Sequence, residues 1–352
     1  MKPTFSSFLL LFALSFSLFG QNNLSMPQSP SAPSGTSLGA NETIAYNGIA
    51  LGNRVKMRGY VDFIYGYGDL DDVGDDARFS TAGDVDFLFD FSPVTGEAHL
   101  ALNPSPDAGE DQVTLEQAFA RYSFNQDFNL SFGRQLTNLG YEADEAPGLF
   151  AVTNGYFIGS TTDGVYGPVN LRRNYVDGLR GNFNNGMFGL SLGLHDDYFG
   201  VDNALNDNFA IDLAASVMIV PGLEARLGYA HQDNEGASDN DINQFNAWIE
   251  FNPGALTLAL EFDFYDIYGD DLWDLMFLAN YQFVDWFGAT FRYSHEDLDQ
   301  TVGEMEADRF TLALLFTLTQ NFFLNVEYSH TEIDGLIFDD RDEFYIEGLY
   351  TF

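Results

Sequence analysis

The chain has 352 residues and a formal net charge of -39, because 53 Asp and Glu residues stand against 14 Lys and Arg. Nucleic-acid-binding proteins neutralise phosphates with a basic surface, so this charge argues against nucleic acid as a partner and favours cations. The absence of cysteine excludes disulfides and thiolate metal sites.

The first twenty residues predict a secretory signal peptide. Lys2 precedes an uncharged apolar run at residues 8–19, which is too short for a spanning helix. Residues 21–53 are rich in Ser, Pro, Gly and Asn and are interpreted as a flexible periplasmic lead-in. A plug inside the lumen of the following domain is the alternative for this segment.

From residue 54 to 352 the sequence predicts β-strands with one apolar and one polar face. Apolar and polar side chains alternate over residues 245–251, and the alternation resumes at 256–263 after a turn that contains Pro253 and Gly254. Each run is about ten residues long, which is the length of a tilted strand that crosses a bilayer. An apolar face opposite a face with carboxylates suits a sheet between lipid and water.

Short turns alternate with long acidic segments along the chain. The turns lie at 92–95, 125–127, 184–186, 221–222, 252–254, 284–285 and 319–321. The long segments include 68–83, 103–111, 196–208, 233–241, 266–271, 297–308 and 333–342. Brief periplasmic turns and extended extracellular loops are typical of outer-membrane barrels. We therefore expect an all-β fold, a transmembrane antiparallel β-barrel of about 16 strands, in which only the facing of Leu115, Phe119 and Arg121 is ambiguous.

The last strand carries a second export signal. Phe344, Ile346, Gly348, Tyr350 and Phe352 alternate on one face up to the end of the chain. A terminal Phe with Tyr two residues before it resembles the strand by which outer-membrane proteins are handed to the barrel-assembly machinery. Outer-membrane lipid and that machinery are therefore expected partners.

A middle segment resembles a known family. Its residues are Gly133, Arg134, Thr137, Gly140, Tyr141 and Glu142, then Asn154, Gly155 and Tyr156, and later residues 174–181. They resemble the OmpL-like beta-barrel porins, and the resemblance spans roughly residues 54–352. It implies a diffusion channel of the outer membrane with no cofactor and no catalytic residues.

Four of the five histidines lie at strand ends, each with an acidic residue two positions later. The pairs are His195 with Asp197, His231 with Asp233, His295 with Asp297, and His330 with Glu332. The last three histidines follow a tyrosine by two residues and face lipid by alternation, which predicts an aromatic and polar girdle. A rim metal site is the alternative, but the strands are not all neighbours, and we predict no metal site. No catalytic geometry is visible in the sequence, and we predict no enzyme.

The polar face of each strand, placed inward, gives a lumen with more acid than base. The predicted pore-lining residues are Arg58, Asp62, Asp86, Glu142, Asp144, Glu145, Asp163, Arg172, Arg173, Arg180, Arg226, Glu261, Asp263 and Arg292. Some of these charges are expected to pair along the wall. The excess carboxylate should concentrate cations in the lumen.

Residues 138–173 form the longest connection and follow the predicted fifth strand. We expect this segment to fold into the barrel, to set its narrowest point, and to face wall arginines such as Arg58 or Arg226 across the opening. An extracellular flap held by its own aromatic residues is the alternative.

These patterns predict a passive, water-filled porin for small hydrophilic solutes with a preference for cations. A structural or adhesive barrel is the alternative, with acidic loops that bind a partner or divalent cations and a lumen closed by residues 21–53. The sequence leaves open whether three barrels associate as a homotrimer.

Overall fold

The computed structural model of the chain describes residues 48–70, 74–104, 112–158, 171, 174–200, 208–234, 241–300, 303–335 and 340–352. The predicted signal peptide, nearly all of the lead-in, and the candidates Asp163, Arg172 and Arg173 lie outside these residues. Within the described part no helix has the length and apolar character needed to span a membrane.

Sixteen long strands of the described residues form one sheet, in which each strand pairs antiparallel with its neighbours in sequence. The strands are β1 Val55–Leu70, β2 Gly74–Phe91, β3 Val94–Leu102, β4 Val113–Ser123, β5 Phe128–Leu136, β6 Tyr175–Asn184, β7 Phe188–His195, β8 Asn208–Val220, β9 Leu223–Asn234, β10 Ile242–Phe251, β11 Leu256–Ile267, β12 Asp270–Val284, β13 Phe287–Gln300, β14 Gly303–Thr319, β15 Phe322–Asp334 and β16 Arg341–Thr351. A two-residue segment, Ile49–Ala50, pairs with β1. The predicted fold class and strand number are confirmed.

The sheet closes because its last strand pairs with its first. The register between β16 and β1 runs from Arg341 opposite Leu70 to Thr351 opposite Tyr60. Two backbone hydrogen bonds between Gly59 and Phe352, of 3.1 and 3.0 Å, continue the seam to the end of the chain. A closed sheet has no free strand edge, which suits a wall surrounded by lipid.

The two faces of the wall follow the predicted alternation. Along β7 exposed and buried residues alternate at every position, with Leu190 and Leu192 exposed and Ser191 and His195 buried. Large apolar side chains cover the outer face of the other strands, and polar or charged side chains lie buried on the inner face. The apolar exterior therefore faces lipid and the polar residues lie within the barrel.

A β-bulge explains why the facing of the fourth strand is ambiguous in the sequence. His99 of β3 pairs with Gln117 of β4, whereas the next residue, Leu100, pairs with Leu115. Glu116 is therefore the extra residue, and the alternation changes face there. Leu115 points to lipid, while Phe119, on the other side of the bulge, is buried in the barrel.

Three Tyr-x-His units form the predicted girdle on the outer face. In each unit the tyrosine hydroxyl donates to, and the histidine Nδ1 contacts, one Asn or Asp of the following strand at 2.6–3.0 Å. The units are Tyr229 and His231 with Asn243, Tyr293 and His295 with Asp308, and Tyr328 and His330 with Asp342. The main partner of each histidine thus lies on the next strand and not two residues later in sequence, because directly opposite side chains of a sheet are closer.

Candidate functional site

The connection between β5 and β6 turns into the barrel directly after β5. We call its described first part, residues 137–158, the inserted segment. Its base is closed by Thr137, whose N–H donates to the carbonyl of Asn174 at 2.7 Å, and whose hydroxyl accepts from the N–H of Asn174 at 3.0 Å. Asn138 then donates to the buried hydroxyl of Ser191, and its carbonyl accepts from Arg226 of β9.

Glu142 and Arg292 form the central attachment of the inserted segment. Arg292 of β13 is buried and donates from Nη1 to Glu142 Oε1 at 2.5 Å. The same guanidinium donates to the carbonyl of Thr153 at 2.7 Å and to that of Asn154 at 2.8 Å. The other oxygen of Glu142 accepts from the N–H of Gly155 at 2.5 Å. One arginine therefore holds two separate stretches of the segment against the wall.

Three wall carboxylates accept backbone N–H groups of the inserted segment. The bonds run from Tyr141 to Glu261 at 2.6 Å, from Val152 and Thr153 to Glu327 at 2.5 and 3.0 Å, and from Phe157 and Ile158 to Glu296 at 2.5 and 2.9 Å. Charged acceptors strengthen such bonds and satisfy N–H groups that a loop would otherwise bury without partners. These partners lie on β11, β13 and β15, so the segment extends across the interior of the barrel.

A cavity that opens to solvent, with about 460 Å³ of empty space when the solvent at its mouth is included, lies between the inserted segment and strands β10 and β11. Three carboxylates, those of Glu142, Glu261 and Asp263, are among the residues that line it, and none of the lining residues is basic. The other lining residues are Leu139, Gly140, Tyr141, Ala143, Asn154, Tyr156, Gln244 and Tyr265. Acidic oxygens together with tyrosines suit hydrated cations and polar solutes better than anions.

An apolar cluster fills the part of the lumen at the extracellular ends of β10 to β15. Phe157, Ile158 and Leu171 of the connection pack there with inward-facing wall residues, and Tyr198 and Phe199 join them from the connection after β7. The wall residues of this cluster include Ile242, Ile267, Leu272, Leu298 and Ile333. Apolar packing on one side of the wall therefore narrows this end of the lumen.

The predicted pore-lining residues of the wall all lie on its inner face and are buried. They are Arg58, Asp62, Asp86, Arg180, Arg226, Glu261, Asp263 and Arg292. Several are paired with each other or with neighbours: Arg58 Nε lies 2.8 Å from Asp86 Oδ2, and Arg180 lies 3.7 Å from Asp212. Of the predicted acids of the segment, Asp144 accepts from the hydroxyl of Tyr175 at 2.5 Å.

Two details of the expected site differ from the structure. The arginine that pairs with the acid of the inserted segment is Arg292, whereas Arg58 binds Asp86 and Arg226 binds the carbonyl of Asn138. Glu296, which carries two N–H groups of the segment, is absent from the predicted set. The inward position of Glu296 follows from the alternation on β13. The sequence around Glu296 does not indicate that it accepts hydrogen bonds from Phe157 and Ile158.

The family of the chain follows from comparison with known sequences. The model of the family described as Putative beta-barrel porin-2, OmpL-like, matches residues 74–346. The chain belongs to the OmpL-like beta-barrel porin family. Membership places this porin among bacterial outer-membrane barrels, and it confirms the resemblance seen in the sequence. We found no match among curated proteins.

Solved porin structures share the fold of this OmpL-like porin. The outer-membrane channel DcaP of Acinetobacter baumannii superposes with a TM-score of 0.66 at 14% identity, over 87% of this chain and all of that one. The trimer form of OmpT of Vibrio cholerae gives 0.60 at 14% identity, over 85% of this chain and all of that one. An anion-selective porin from Comamonas acidovorans gives 0.59 at 14% identity, over 85% and 99% of the two chains.

The residues that carry the resemblance to the family also hold the inserted segment in place. Glu142 binds Arg292, Asn154 accepts from the same arginine, and Gly155 donates to Glu142. The hydroxyl of Tyr141 donates to Glu250 of β10 at 2.8 Å. The distinctive part of the sequence is thus the part that fixes the segment inside the barrel.

Proposed function

We propose that this porin is a passive, water-filled channel for small hydrophilic solutes and that it prefers cations. The observation that carries the proposal is the acidic cavity beside the inserted segment, which is lined by Glu261, Asp263 and Glu142 and by no basic residue. Arg292 pairs with Glu142 from outside the lining, so Glu261 and Asp263 supply the main part of the negative charge. A low-dielectric wall strengthens the field of such carboxylates, so cations should enter the cavity and anions should be repelled.

The charge of the inner wall supports this preference. Its buried acids include Asp62, Asp84, Asp86, Asp212, Glu224, Glu250, Glu261, Asp263, Asp274, Glu296, Glu327, Glu343 and Glu347. Its buried arginines among the described residues are Arg58, Arg180, Arg226, Arg292 and Arg309. Ion pairs therefore neutralise part of the acid and leave an excess that faces the lumen.

Reconstitution in a planar lipid bilayer tests the proposal. Purified porin should give discrete conductance steps, and its reversal potential in a KCl gradient should show a preference for potassium that increases in dilute salt, where the screening length is longer. A preference for chloride, or no preference at low salt, contradicts the cation part of the proposal.

A structural or adhesive barrel is the second candidate, and the apolar cluster favours it. Side chains such as Ile158 and Leu171 are fully buried against the wall, which narrows the extracellular end of the lumen. A closed barrel would insert into the bilayer without conductance. Inserted, correctly folded protein that passes no current therefore supports this candidate and rejects the channel.

A further inference from the structure

A buried group of one histidine and two aspartates lies on the inner wall, away from the acidic cavity. Asp84 and Asp86 belong to β2, and His99 of β3 pairs directly with Asp86 in the register of the hairpin. All three side chains are at most 1% exposed. One ligand atom from each lies within 4.8 Å of the other two.

The buried carboxylate of Asp84 is the feature that indicates a bound ligand. Among the described residues no amide, hydroxyl or basic group donates to either of its carboxylate oxygens, and its polar neighbours are the carboxyls of Asp86 and Glu116, although the side chain is 1% exposed. A buried carboxylate without a partner is strongly disfavoured, so a cation or a proton must compensate it. Asp86 adds a further oxygen of this kind, because Arg58 binds its Oδ2 while its Oδ1 makes no hydrogen bond within the described structure.

The contacts of His99 select the tautomer that a metal ion needs. Gln117 accepts the N–H of Leu136 at its Oε1, which turns its amide nitrogen towards His99 Nδ1 at 3.1 Å. An amide nitrogen donates, so this contact favours the tautomer with the lone pair on Nδ1 and the proton on Nε2, which lies 3.1 Å from Glu97 Oε2. A histidine whose other nitrogen donates to a carboxylate is the usual arrangement behind a metal ligand.

The spacing of the ligand atoms also fits an ion. His99 Nδ1 lies 3.0 Å from Asp86 Oδ1, and these atoms do not form an aligned hydrogen bond. Two atoms that each lie ~2.1 Å from one ion are ~3.0 Å apart at an angle of ~90° and ~3.4 Å apart at the tetrahedral angle, so the observed distance is at the short end of this range. Two lone pairs at this distance repel each other unless a proton or a metal ion lies between them.

We propose that Asp84, Asp86 and His99 bind one divalent transition-metal ion, with Glu145 of the inserted segment as a further ligand. Glu145 Oε1 lies 3.8 Å from His99 Nδ1, and its Oε2 is buried with no hydrogen-bond partner in the described part of the chain. Nitrogen with carboxylate oxygens suits zinc, whereas magnesium and calcium prefer oxygen alone. The bound ion joins the segment to β2 and β3, whereas Arg292 attaches it to β13.

Zinc alone is the probe for this site. The full-length barrel, refolded in detergent and freed of metal by chelation, is titrated with zinc by calorimetry. We expect one tight ion per barrel, which is lost in Asp84→Asn and in His99→Gln, each with at least tenfold weaker binding. Glu145→Gln should weaken binding less, because three ligands remain. His330→Gln, which removes a histidine of the outer girdle, is the matched control and should leave the tight site unchanged.

A cobalt spectrum of the unaltered protein gives a test that does not depend on the folding of variants. Cobalt in a site with nitrogen and oxygen ligands should give a visible absorption band that a chelator removes and that zinc displaces. Folding of each variant is checked by its migration on unheated gels. The proposal is overturned if the unaltered protein binds no stoichiometric tight ion, or if folded Asp84→Asn retains tight binding. Protons, and not a metal ion, would then compensate the buried carboxylates.

Discussion

Arg292 on β13 and Glu142 in the inserted segment form a buried ion pair, with 2.5 Å between Nη1 and Oε1, although 150 residues separate them in sequence. The pair is the point at which the connection after the fifth strand becomes part of the interior of the barrel. The Arg292 guanidinium also donates to the backbone carbonyls of Thr153 and Asn154, so it binds both the charged side chain and the backbone of the segment. Four predictions follow from this ion pair, the cavity, the apolar cluster and the seam.

Arg292→Leu should destabilise the barrel by about 3–5 kcal/mol, because it leaves the carboxylate of Glu142 buried without a cation. The measurement is the urea midpoint of the folded band on unheated gels. Arg134→Leu is the matched control: its ion pair with Asp177 is exposed, at 36% and 54%, and should contribute no more than ~1 kcal/mol. Equal midpoints for the two variants would show that the buried pair does not hold the segment.

Asp263→Asn should weaken the preference for potassium over chloride, because it removes one of the charges that line the cavity. The shift of the reversal potential should be largest at ~0.01 M salt, where the screening length is ~30 Å. Asp308→Asn is the control, since this aspartate binds Tyr293 and His295 on the outer face. A shift of the same size in the control would place the selective charge on the surface instead of in the cavity.

Phe157→Ala should raise the single-channel conductance, because it removes a buried ring from the apolar cluster at the extracellular end. The cavity that it leaves should also lower stability by about 3–5 kcal/mol. Phe310→Ala, which removes an exposed ring from the lipid-facing wall, should leave the conductance unchanged. If folded Phe157→Ala conducts like the parent, the ion path does not pass this cluster.

Gly59→Ala should impair closure of the barrel. A Cβ at Gly59 would lie 2.2 Å from the carbonyl oxygen of Asp84 on β2 and 2.7 Å from the ring of Phe352 at the seam, so the β1–β2 backbone and the terminal ring would both have to move. Gly68→Ala on the same strand is the control, because a Cβ there meets no atom within 4 Å. The readout is the fraction of heat-modifiable protein in the outer membrane, and equal fractions for both variants would contradict a role of Gly59 in closure.

The strands and their facing are predictable because lipid outside and polar groups inside impose a period of two on nearly every residue. The extra residue at Glu116 interrupts that period, and no local pattern marks a bulge. The outward facing of the girdle follows from the alternation, but the cross-strand partners of its histidines do not, because pairing across strands depends on register. The cross-strand partner of His99 is predictable, because the short turn after β2 fixes the register of the hairpin and places His99 opposite Asp86.

The contacts of the inserted segment are less predictable because they join residues that are far apart in sequence. Glu296 and Glu327 accept the N–H groups of residues that precede them in the sequence by 138 to 175 positions. The acids themselves look like ordinary lumen residues, and nothing near them in sequence indicates a backbone partner. The aromatic and glycine content of the segment predicts compact packing but not the wall residues against which it packs.

The position of these partners also fixes an order of events during assembly. The inserted segment is synthesised before β11, β13 and β15, which supply acceptors for its N–H groups, and before β10, which accepts the hydroxyl of Tyr141. Until those strands have paired in the correct register, these N–H groups of the segment lack their acceptors, and its chain entropy opposes insertion. Docking of the segment is therefore a late step that requires the correct register in the second half of the wall. In a barrel with a shifted strand the segment would stay undocked and accessible to proteases.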